Sequence, residues 1–181
     1  MASITTEFRA ELIASIPSLR AFAISLTGKG DRADDLVQET MVKAWRHHES
    51  FAVGTNMRAW LFTILRNEFY TQIRNRRREV EDADGIYSSK VSVLGNQESH
   101  LELLEMVAAL AQLPAEQREA IVLIGASGFS YDEAAEICGC AVGTMKSRVN
   151  RARERLAHLL HREDQARTHA VAGLLTGQDV P

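Results

Sequence analysis

Apolar side chains recur at intervals of three and four residues along most of the chain, and no segment alternates convincingly between apolar and polar positions. The first spacing is typical of amphipathic helices and the second of half-buried strands, so the pattern predicts an all-α fold. A first helix is expected to bend or break at Pro17, because proline removes a helical hydrogen bond. Its apolar positions are Phe8, Leu12, Ile16, Leu19, Phe22 and Leu26.

Two further helices are predicted in the first half of the chain. Asp31 follows a glycine-rich turn and is expected to cap the second helix. The buried stripe of that helix is predicted to consist of Leu36, Val37, Thr40, Met41, Ala44 and Trp45. Asn56 is expected to cap the third helix, which runs from about Met57 to about Arg77. Its inward side is predicted to hold Leu61, Leu65, Phe69 and Ile73.

Helical periodicity fades after the third helix, where small, polar and acidic residues predominate, and this stretch is interpreted as a linker. The chain is therefore expected to form two small helical domains. The predicted boundaries are a first domain at 1–78, an acidic linker at 79–99, a second domain at 100–162 and a tail at 163–181 with no assigned role.

The second domain contains a helix-turn-helix pattern. A helix opened by Pro114 precedes it. Ser130 and Glu133 have the spacing of a capping box, which predicts a short helix over 131–138. A three-residue turn containing a glycine and a long basic helix over about 142–161 complete the motif.

The long basic helix has two faces of opposite character. At about 100° per residue, one apolar stripe is formed by Val142, Met145, Val149, Ala152, Leu156 and Leu159. The opposite face carries Ser147, Asn150, Arg151 and Glu154, flanked by Lys146, Arg153, Arg148 and Arg155. This division suits a helix in a DNA major groove, where Arg151 can pair with guanine, Asn150 with adenine, and the flanking cations with phosphates. A surface helix with merely solvated charges is the alternative.

The formal net charge is −3, but the charges are segregated. Residues 58–78 hold six Arg against one Glu, and residues 142–156 carry a net charge of +4. Between these basic blocks, residues 79–105 carry seven acids against one Lys. The pattern indicates polyanion contact at two places, with the acidic spacer as a possible competitor. No signal peptide or apolar run of membrane-spanning length is evident, so we expect a cytoplasmic protein without membrane contact.

The first basic block combines cations with aromatic and amide side chains. Trp60, Phe62 and Phe69 are expected in the core. A polar stripe opposite the apolar one is predicted from Asn67, Tyr70, Thr71 and Arg74. Such a face suits nucleic acid with unstacked or flipped bases, because rings stack on bases while arginines hold the backbone.

The second predicted helix carries an acidic patch. Asp34 and Asp35 lie in its first turn, where carboxylates interact favourably with the helix dipole. That interaction does not account for Gln38 and Glu39 one turn later. The patch therefore predicts a basic protein partner.

These features, in this order, resemble the extracytoplasmic-function sigma factors of bacterial RNA polymerase. "DRADDLVQETMVKAW" resembles the family's region 2.2, and "GTNMRAWLFTILRNEFY" its regions 2.3 and 2.4. "LPAEQREAIVLIGASGFSYDEAAEICGCAVGTMKSRVNRARERL" resembles region 4. At a finer level, segments such as "GTNMRAWLFTILRN" and "GASGFSYDEAAEICG" are similar to those of the general-stress-response type of these sigma factors in alphaproteobacteria.

The resemblance implies a two-domain initiation factor that binds core RNA polymerase and promoter DNA and supplies no catalytic chemistry. The residues implied in docking on the β′ clamp helices are Asp34, Asp35, Gln38 and Glu39. The expected −10 contacts are Asn56, Arg58, Asn67, Tyr70, Thr71, Arg74 and Arg77, and the loop at 52–57 is implied to capture a flipped base. The expected −35 contacts are Lys146, Ser147, Arg148, Asn150, Arg151, Arg153 and Arg155.

The resemblance also implies a NepR-type anti-sigma partner, which a phosphorylated PhyR-type mimic removes. A flexible linker would let the two domains clamp together on a repressor and spread apart on promoter DNA. No catalytic residue, cofactor, metal or small-molecule substrate is expected.

Three alternatives remain open from the residues. The chain could be a sigma-like mimic that binds an anti-sigma factor, although a mimic normally carries a receiver domain. It could be a one-component helix-turn-helix repressor that binds a palindrome as a dimer. A zinc or redox protein could use Cys138, Cys140, His47 and His48, but the second ligand pair that zinc requires is not found near the cysteines in sequence.

Overall fold

The computed structural model describes the backbone of residues 6–52, 54–80 and 106–176, and side chains over 6–52, 54–76 and 106–161. Within these ranges it contains helices and turns and no strand, so the all-α prediction is confirmed. The helices are α1 (Thr6–Ala14), α2 (Ile16–Thr27), α3 (Gly30–Arg46), α4 (Met57–Val80), α5 (residues 106–111), α6 (Ala115–Ile121), α7 (Tyr131–Cys138) and α8 (Val142–Thr176). The helix α4 continues to Val80, past its predicted end near Arg77 and two residues into the predicted linker. Residues 81–99 of that linker and the start of the second domain lie outside the described residues.

The predicted break near Pro17 is confirmed. Pro17 lies in the first turn of α2, where its missing N–H costs no helical hydrogen bond, and α1 and α2 meet at an angle of 40°. No single described helix has both the length and the apolarity to cross a bilayer. Taken together, α1 and α2 are long and apolar enough, but they are bent relative to each other. Their apolar side chains Leu12, Leu19 and Phe22 are buried in the protein core.

The predicted Asp31 cap on α3 is wrong. Gly28 ends α2 in the left-handed conformation (φ 70°), which favours glycine. Lys29 is then extended and Gly30 already begins α3, without a side-chain cap. Asp31 consequently lies inside the first turn, where its charge still interacts favourably with the helix dipole.

The buried stripe of α3 is narrower than predicted. Leu36, Val37, Thr40 and Ala44 are buried. Trp45 is 40% exposed, so its assignment to the core is wrong. At 100° per residue, Trp45 lies about 120° around the helix from the centre of the buried stripe.

The Asn56 cap and the inward face of α4 are confirmed. The Ala59 amide donates to Asn56 Oδ1 at 3.1 Å. Leu61 and Leu65 are fully buried, and Phe69 and Ile73, further along the helix, are partly buried. The N-terminal helices therefore pack as an amphipathic bundle, as the periodicity predicts.

The capping box of α7 is confirmed with both of its hydrogen bonds. The Glu133 amide donates to Ser130 Oγ at 3.2 Å, and the Ser130 amide donates to Glu133 Oε2 at 2.8 Å. Gly139 ends the helix in the left-handed conformation (φ 62°). Pro114 lies at the N-cap of α6, and a π-helical turn at Val122–Ala126 extends that helix.

The last helix is longer than predicted. Its backbone remains helical to Thr176, beyond the expected end near His161. No glycine or proline occurs between Gly143 and Gly173, so no breaker interrupts the helix there. The predicted apolar stripe is confirmed, since Met145, Val149, Ala152 and Leu156 are buried and Val142 and Leu159 are partly buried.

The N-terminal helices α1–α4 and the C-terminal helices α5–α8 pack against each other. One buried cluster contains residues of both groups, from Leu12 to Val149. The aromatic rings of Phe22 and Phe62 stack at 4.9 Å, and Phe62 meets Phe129 edge-on at 4.9 Å. The contact between α4 and the segment around α7 therefore positions the candidate sites relative to each other.

Candidate functional site

The outer face of α8 is accessible, as the sequence predicts. Asn150 and Arg151 are exposed on the side opposite the buried stripe. Lys146, Arg153 and Arg155 flank them and are also exposed, whereas Ser147 is half-buried. A rigid helix with an outward amide and guanidinium between flanking cations has the geometry for reading base edges in a major groove.

Two cations of this helix interact with neighbouring elements. Arg148 is half-buried and pairs with Glu116 of α6, Nη2 to Oε2 at 2.9 Å. Lys146 Nζ lies 5.9 Å from the centre of the Tyr131 ring. These contacts join α8 to α6 and α7 and so hold its basic face in a fixed orientation.

On α4, three of the predicted polar residues share one side. Arg74 Nη2 donates to Thr71 Oγ1 at 3.3 Å, and Thr71 Oγ1 donates to the Asn67 carbonyl at 2.8 Å. A groove of about 290 Å³ next to them is lined in part by Asn67, Thr71, Trp60 and Lys43. The Trp60 ring, the type of side chain on which a base can stack, borders this groove.

The placement of Tyr70 on this outward stripe is wrong. Tyr70 is partly buried against the C-terminal helices, and its hydroxyl donates to Glu119 Oε2 at 3.4 Å. The Arg66 guanidinium lies over the Tyr70 ring at 4.7 Å. Burial and the neighbouring Glu119 charge raise the pKa of Tyr70 to about 12, so the phenol is protonated near neutral pH.

Glu119 is the centre of this contact between α4 and α6. Its side chain is fully buried and accepts a hydrogen bond from Arg66 Nε at 2.6 Å. Burial disfavours the charge on Arg66, but Glu119 outweighs burial and raises the Arg66 pKa. The pair is separated by 53 positions in sequence, so no local pattern predicts it.

Asn56 and Arg58, at the start of α4, also meet the C-terminal helices. Asn56 Nδ2 donates to Glu133 Oε1 at 2.7 Å. The Arg58 guanidinium lies 4.8 Å from the centre of the Phe129 ring. These contacts, like the Glu119 pair, were not anticipated from the sequence. The side chain of Arg77 lies outside the described residues.

The acidic patch on α3 is smaller than predicted. Asp35 and Gln38 are exposed and Glu39 is half-buried. Asp34 instead pairs with Arg20 of α2 through contacts of 2.6 and 3.3 Å. This hydrogen bond lowers the pKa of Asp34, so its carboxylate already has a cationic partner.

An apolar extension of this patch was missed. Val42 and Trp45 are 42% and 40% exposed. They follow Asp35 and Gln38 at helical spacing, so the four side chains form one ridge along α3. The signal was present in the sequence, because at 100° per residue Trp45 lies beyond the edge of the stripe formed by Leu36, Val37, Thr40 and Ala44.

The zinc and redox alternative gains no support from the described residues. Among them, no group of three or more His, Cys, Asp or Glu side chains is arranged to hold a metal ion. Cys138 is buried, and burial raises the pKa of its thiol to about 12. Cys138 therefore acts as a small buried side chain whose thiol is almost entirely protonated near neutral pH.

Two family models match the chain. Sigma-70 region 2 matches residues 12–79, and the sigma-70 region 4 model matches residues 103–156. The first covers the exposed ridge of α3 and the polar side of α4, and the second covers the helix-turn-helix. Two helical units of this kind define a sigma-type transcription factor.

Within that class, the chain is 60% identical over 158 residues to the extracytoplasmic-function sigma factor EcfG of Rhodopseudomonas palustris, covering 87% of each chain. It belongs to the extracytoplasmic-function group of the sigma-70 family.

Solved structures agree with this assignment. The sigma factor RpoE in complex with the anti-sigma factor NepR from Bartonella quintana is 57% identical, with a TM-score of 0.81 over 87% of this chain and 98% of that chain. A PhyRSL–NepR complex from Sphingomonas is 19% identical, with a TM-score of 0.64 over 82% of this chain and 86% of that one, a likeness of fold alone. The identities of 60% and 57% are both to sigma factors.

Proposed function

We propose that this chain is an alternative sigma factor that binds core RNA polymerase, recognises −35 and −10 promoter elements and promotes promoter melting in a general stress response. The observation that carries the proposal is the outer face of α8, where Asn150 and Arg151 project between exposed cations. The 60% identity to EcfG supports the stress-response assignment. We further infer that it works in the cytoplasm and that the polymerase supplies the catalytic site.

At the −35 element, α8 enters the major groove. Arg151 donates to a guanine and Asn150 pairs with an adenine, while Lys146, Ser147, Arg148, Arg153 and Arg155 contact the DNA around them. Because Arg148 already pairs with Glu116, its contribution is the positioning of α8 more than a free charge.

At the −10 element, α4 and the loop before it hold an opened strand. Asn67, Thr71 and Arg74 form the accessible part of this surface. Asn56, Arg58, Tyr70 and Arg77 complete the proposed set. Contacts with the captured bases offset the free-energy cost of unstacking them, and this shifts the melting equilibrium towards the open promoter.

Polymerase docking is assigned to α3. Asp35, Gln38 and Glu39 are the accessible members of the proposed set, and Asp34 acts through its pair with Arg20. The exposed Val42 and Trp45 extend this ridge and give it the mixed acidic and apolar character that a basic coiled coil can bury.

Trp45→Ala is therefore expected to weaken binding to core polymerase by about tenfold, since buried tryptophans often dominate interfaces. Met106→Ala is the matched control, because Met106 is 39% exposed but lies on α5. Fluorescence titration of labelled core enzyme measures both affinities. Equal affinities for the two variants would exclude Trp45 from the docking surface.

A NepR-type anti-sigma factor is the proposed repressor. The sigma factor RpoE was solved in complex with NepR. RpoE is 57% identical to the present chain, and the match covers 98% of RpoE. Co-purification of this chain with a NepR protein from an alphaproteobacterium, followed by competition with core polymerase, tests the assignment.

Run-off transcription with purified core polymerase tests the function itself. The expected result is initiation from a promoter with matching −35 and −10 elements on addition of the chain, and weak DNA binding without polymerase. Tight binding of the isolated chain to a palindrome as a dimer, without initiation, would favour the one-component repressor.

A further inference from the structure

The two proposed DNA-reading surfaces differ in accessibility. Asn150 and Arg151 of the −35 surface are exposed. On the −10 surface, by contrast, Asn56, Arg58 and Tyr70 contact side chains of the C-terminal helices. The −35 surface is thus accessible, whereas part of the −10 surface is engaged in intramolecular contacts, although Asn56 itself stays exposed.

The covering contacts use carboxylates where nucleic acid would supply oxygen acceptors. Glu119 accepts hydrogen bonds from Arg66 and Tyr70, at 2.6 and 3.4 Å. Glu133 accepts from the Asn56 amide at 2.7 Å. Arginine, phenol and amide donors are the groups that hold phosphates and base edges in protein–nucleic acid complexes.

An aromatic contact also joins the two helical groups. Phe129 is 5% exposed, meets Phe62 edge-on at 4.9 Å and lies under the Arg58 guanidinium. Separating the domains would expose both rings and the Glu119–Arg66 pair to water. The contact therefore has an apolar driving force as well as its hydrogen bonds.

We propose that Glu119, Phe129 and Glu133 form an intramolecular latch that engages the Asn56, Arg58 and Tyr70 part of the −10 surface with DNA-like acceptors and leaves the −35 helix free. The inference rests on the proposed function of α4. Because a site that is open for only a fraction of the time binds with its affinity reduced by that fraction, the latch lowers affinity for the −10 strand and leaves −35 affinity unchanged. The order of promoter capture follows, with −35 contact first and −10 capture after opening.

Two substitutions weaken the latch differently. Glu119→Gln leaves Arg66 without its anionic partner in the closed state, and removing one partner of a buried pair is strongly destabilising. Glu133→Gln is milder, because glutamine also serves in a capping box. Glu133 accepts from Asn56 and from Ser130 on separate carboxylate oxygens, however, and glutamine replaces one of these oxygens with an NH2 group that cannot accept either bond. Glu136→Gln is the matched control, an exposed carboxylate on the same helix.

Two readouts separate the latch from the proposed function. The first is the distance between spin labels on Glu49→Cys and His158→Cys, both exposed, in a Cys140→Ser background. The second is affinity for a single-stranded oligonucleotide with the −10 sequence. We expect Glu119→Gln and Glu133→Gln to lengthen the distance and to raise oligonucleotide affinity, by about tenfold for Glu119→Gln. Glu136→Gln should change neither, and affinity for a −35 duplex should be equal in all variants.

Unchanged distances in both latch variants would overturn the latch. A lengthened distance without increased oligonucleotide binding would keep the latch and overturn the −10 role of α4. If circular dichroism shows that Glu119→Gln lowers the helix content, the test depends on Glu133→Gln alone. A spin-label distance in Glu133→Gln equal to that in Glu136→Gln then refutes the proposal.

Discussion

Under the proposed function, Arg151 is the residue on which sequence-specific recognition is expected to depend most. Its guanidinium projects from the exposed face of α8 and is free to approach a guanine edge in two-donor geometry. Arg153 is also exposed but lies on the flank, where a phosphate is the expected contact. The two arginines therefore share a helix and a charge but differ in expected role.

Arg151→Ala is expected to weaken promoter use by about 1 to 3 kcal/mol and to relax one −35 position. Arg153→Ala should weaken all promoters nearly equally. Run-off transcription on a panel of single-base −35 variants measures both effects. An equal loss on every promoter for Arg151→Ala would contradict its role as a base reader.

The two thiols are expected to react at very different rates. Burial raises the pKa of Cys138 to about 12, so almost no thiolate is present at pH 8, whereas Cys140 is partly exposed. Iodoacetamide should therefore modify Cys140 first, as followed by mass spectrometry. Both cysteines should react in guanidinium, and rapid labelling of native Cys138 would contradict its burial.

At the scale of single elements, α7 and its turn are defined by local chemistry. The capping box begins the helix, and Gly139 ends it in a conformation that other residues rarely adopt. A Cβ at Gly139 would meet no atom within 4 Å, so the cost of a substitution is conformational and not steric. The turn sets the angle at which α8 leaves α7.

Gly139→Ala is expected to destabilise the protein by about 1 kcal/mol, the cost of a left-handed alanine. Gly143→Ala should instead stabilise it by about 0.5 to 1 kcal/mol, because Gly143 lies within α8 and a Cβ there also meets nothing within 4 Å. Urea unfolding followed by circular dichroism measures both. Effects of the same sign would contradict the assigned backbone conformations.

At the scale of the whole molecule, the two proposed DNA-reading surfaces belong to one packed body. The buried cluster spans both helical groups, and Glu119 and Phe129 connect the second group to α4. The orientation of α8 relative to α4 is thus set by contacts that separation of the two groups must break.

Thermal unfolding is therefore expected to occur as a single calorimetric transition, with equal calorimetric and van't Hoff enthalpies. Phe129→Ala removes the ring shared by the two groups and should split or broaden that transition. Two resolved transitions in the unaltered chain would show that the groups unfold independently.

The sequence by itself determined the helical class, the break at Pro17, the Asn56 cap, the capping box of α7 and the two faces of α8. Each depends on periodicity or on side-chain contacts within a few residues, which a single helix or turn specifies. The tertiary structure decided the partner of Asp34, the orientation of Tyr70, the exposure of Trp45 and the pairing of Glu119 and Glu133 with α4. Asp34 and Arg20 are 14 positions apart, and Asn56 and Glu133 are 77 apart. Periodicity defines which face of a helix is polar, but which distant side chain meets that face follows from how the helices pack.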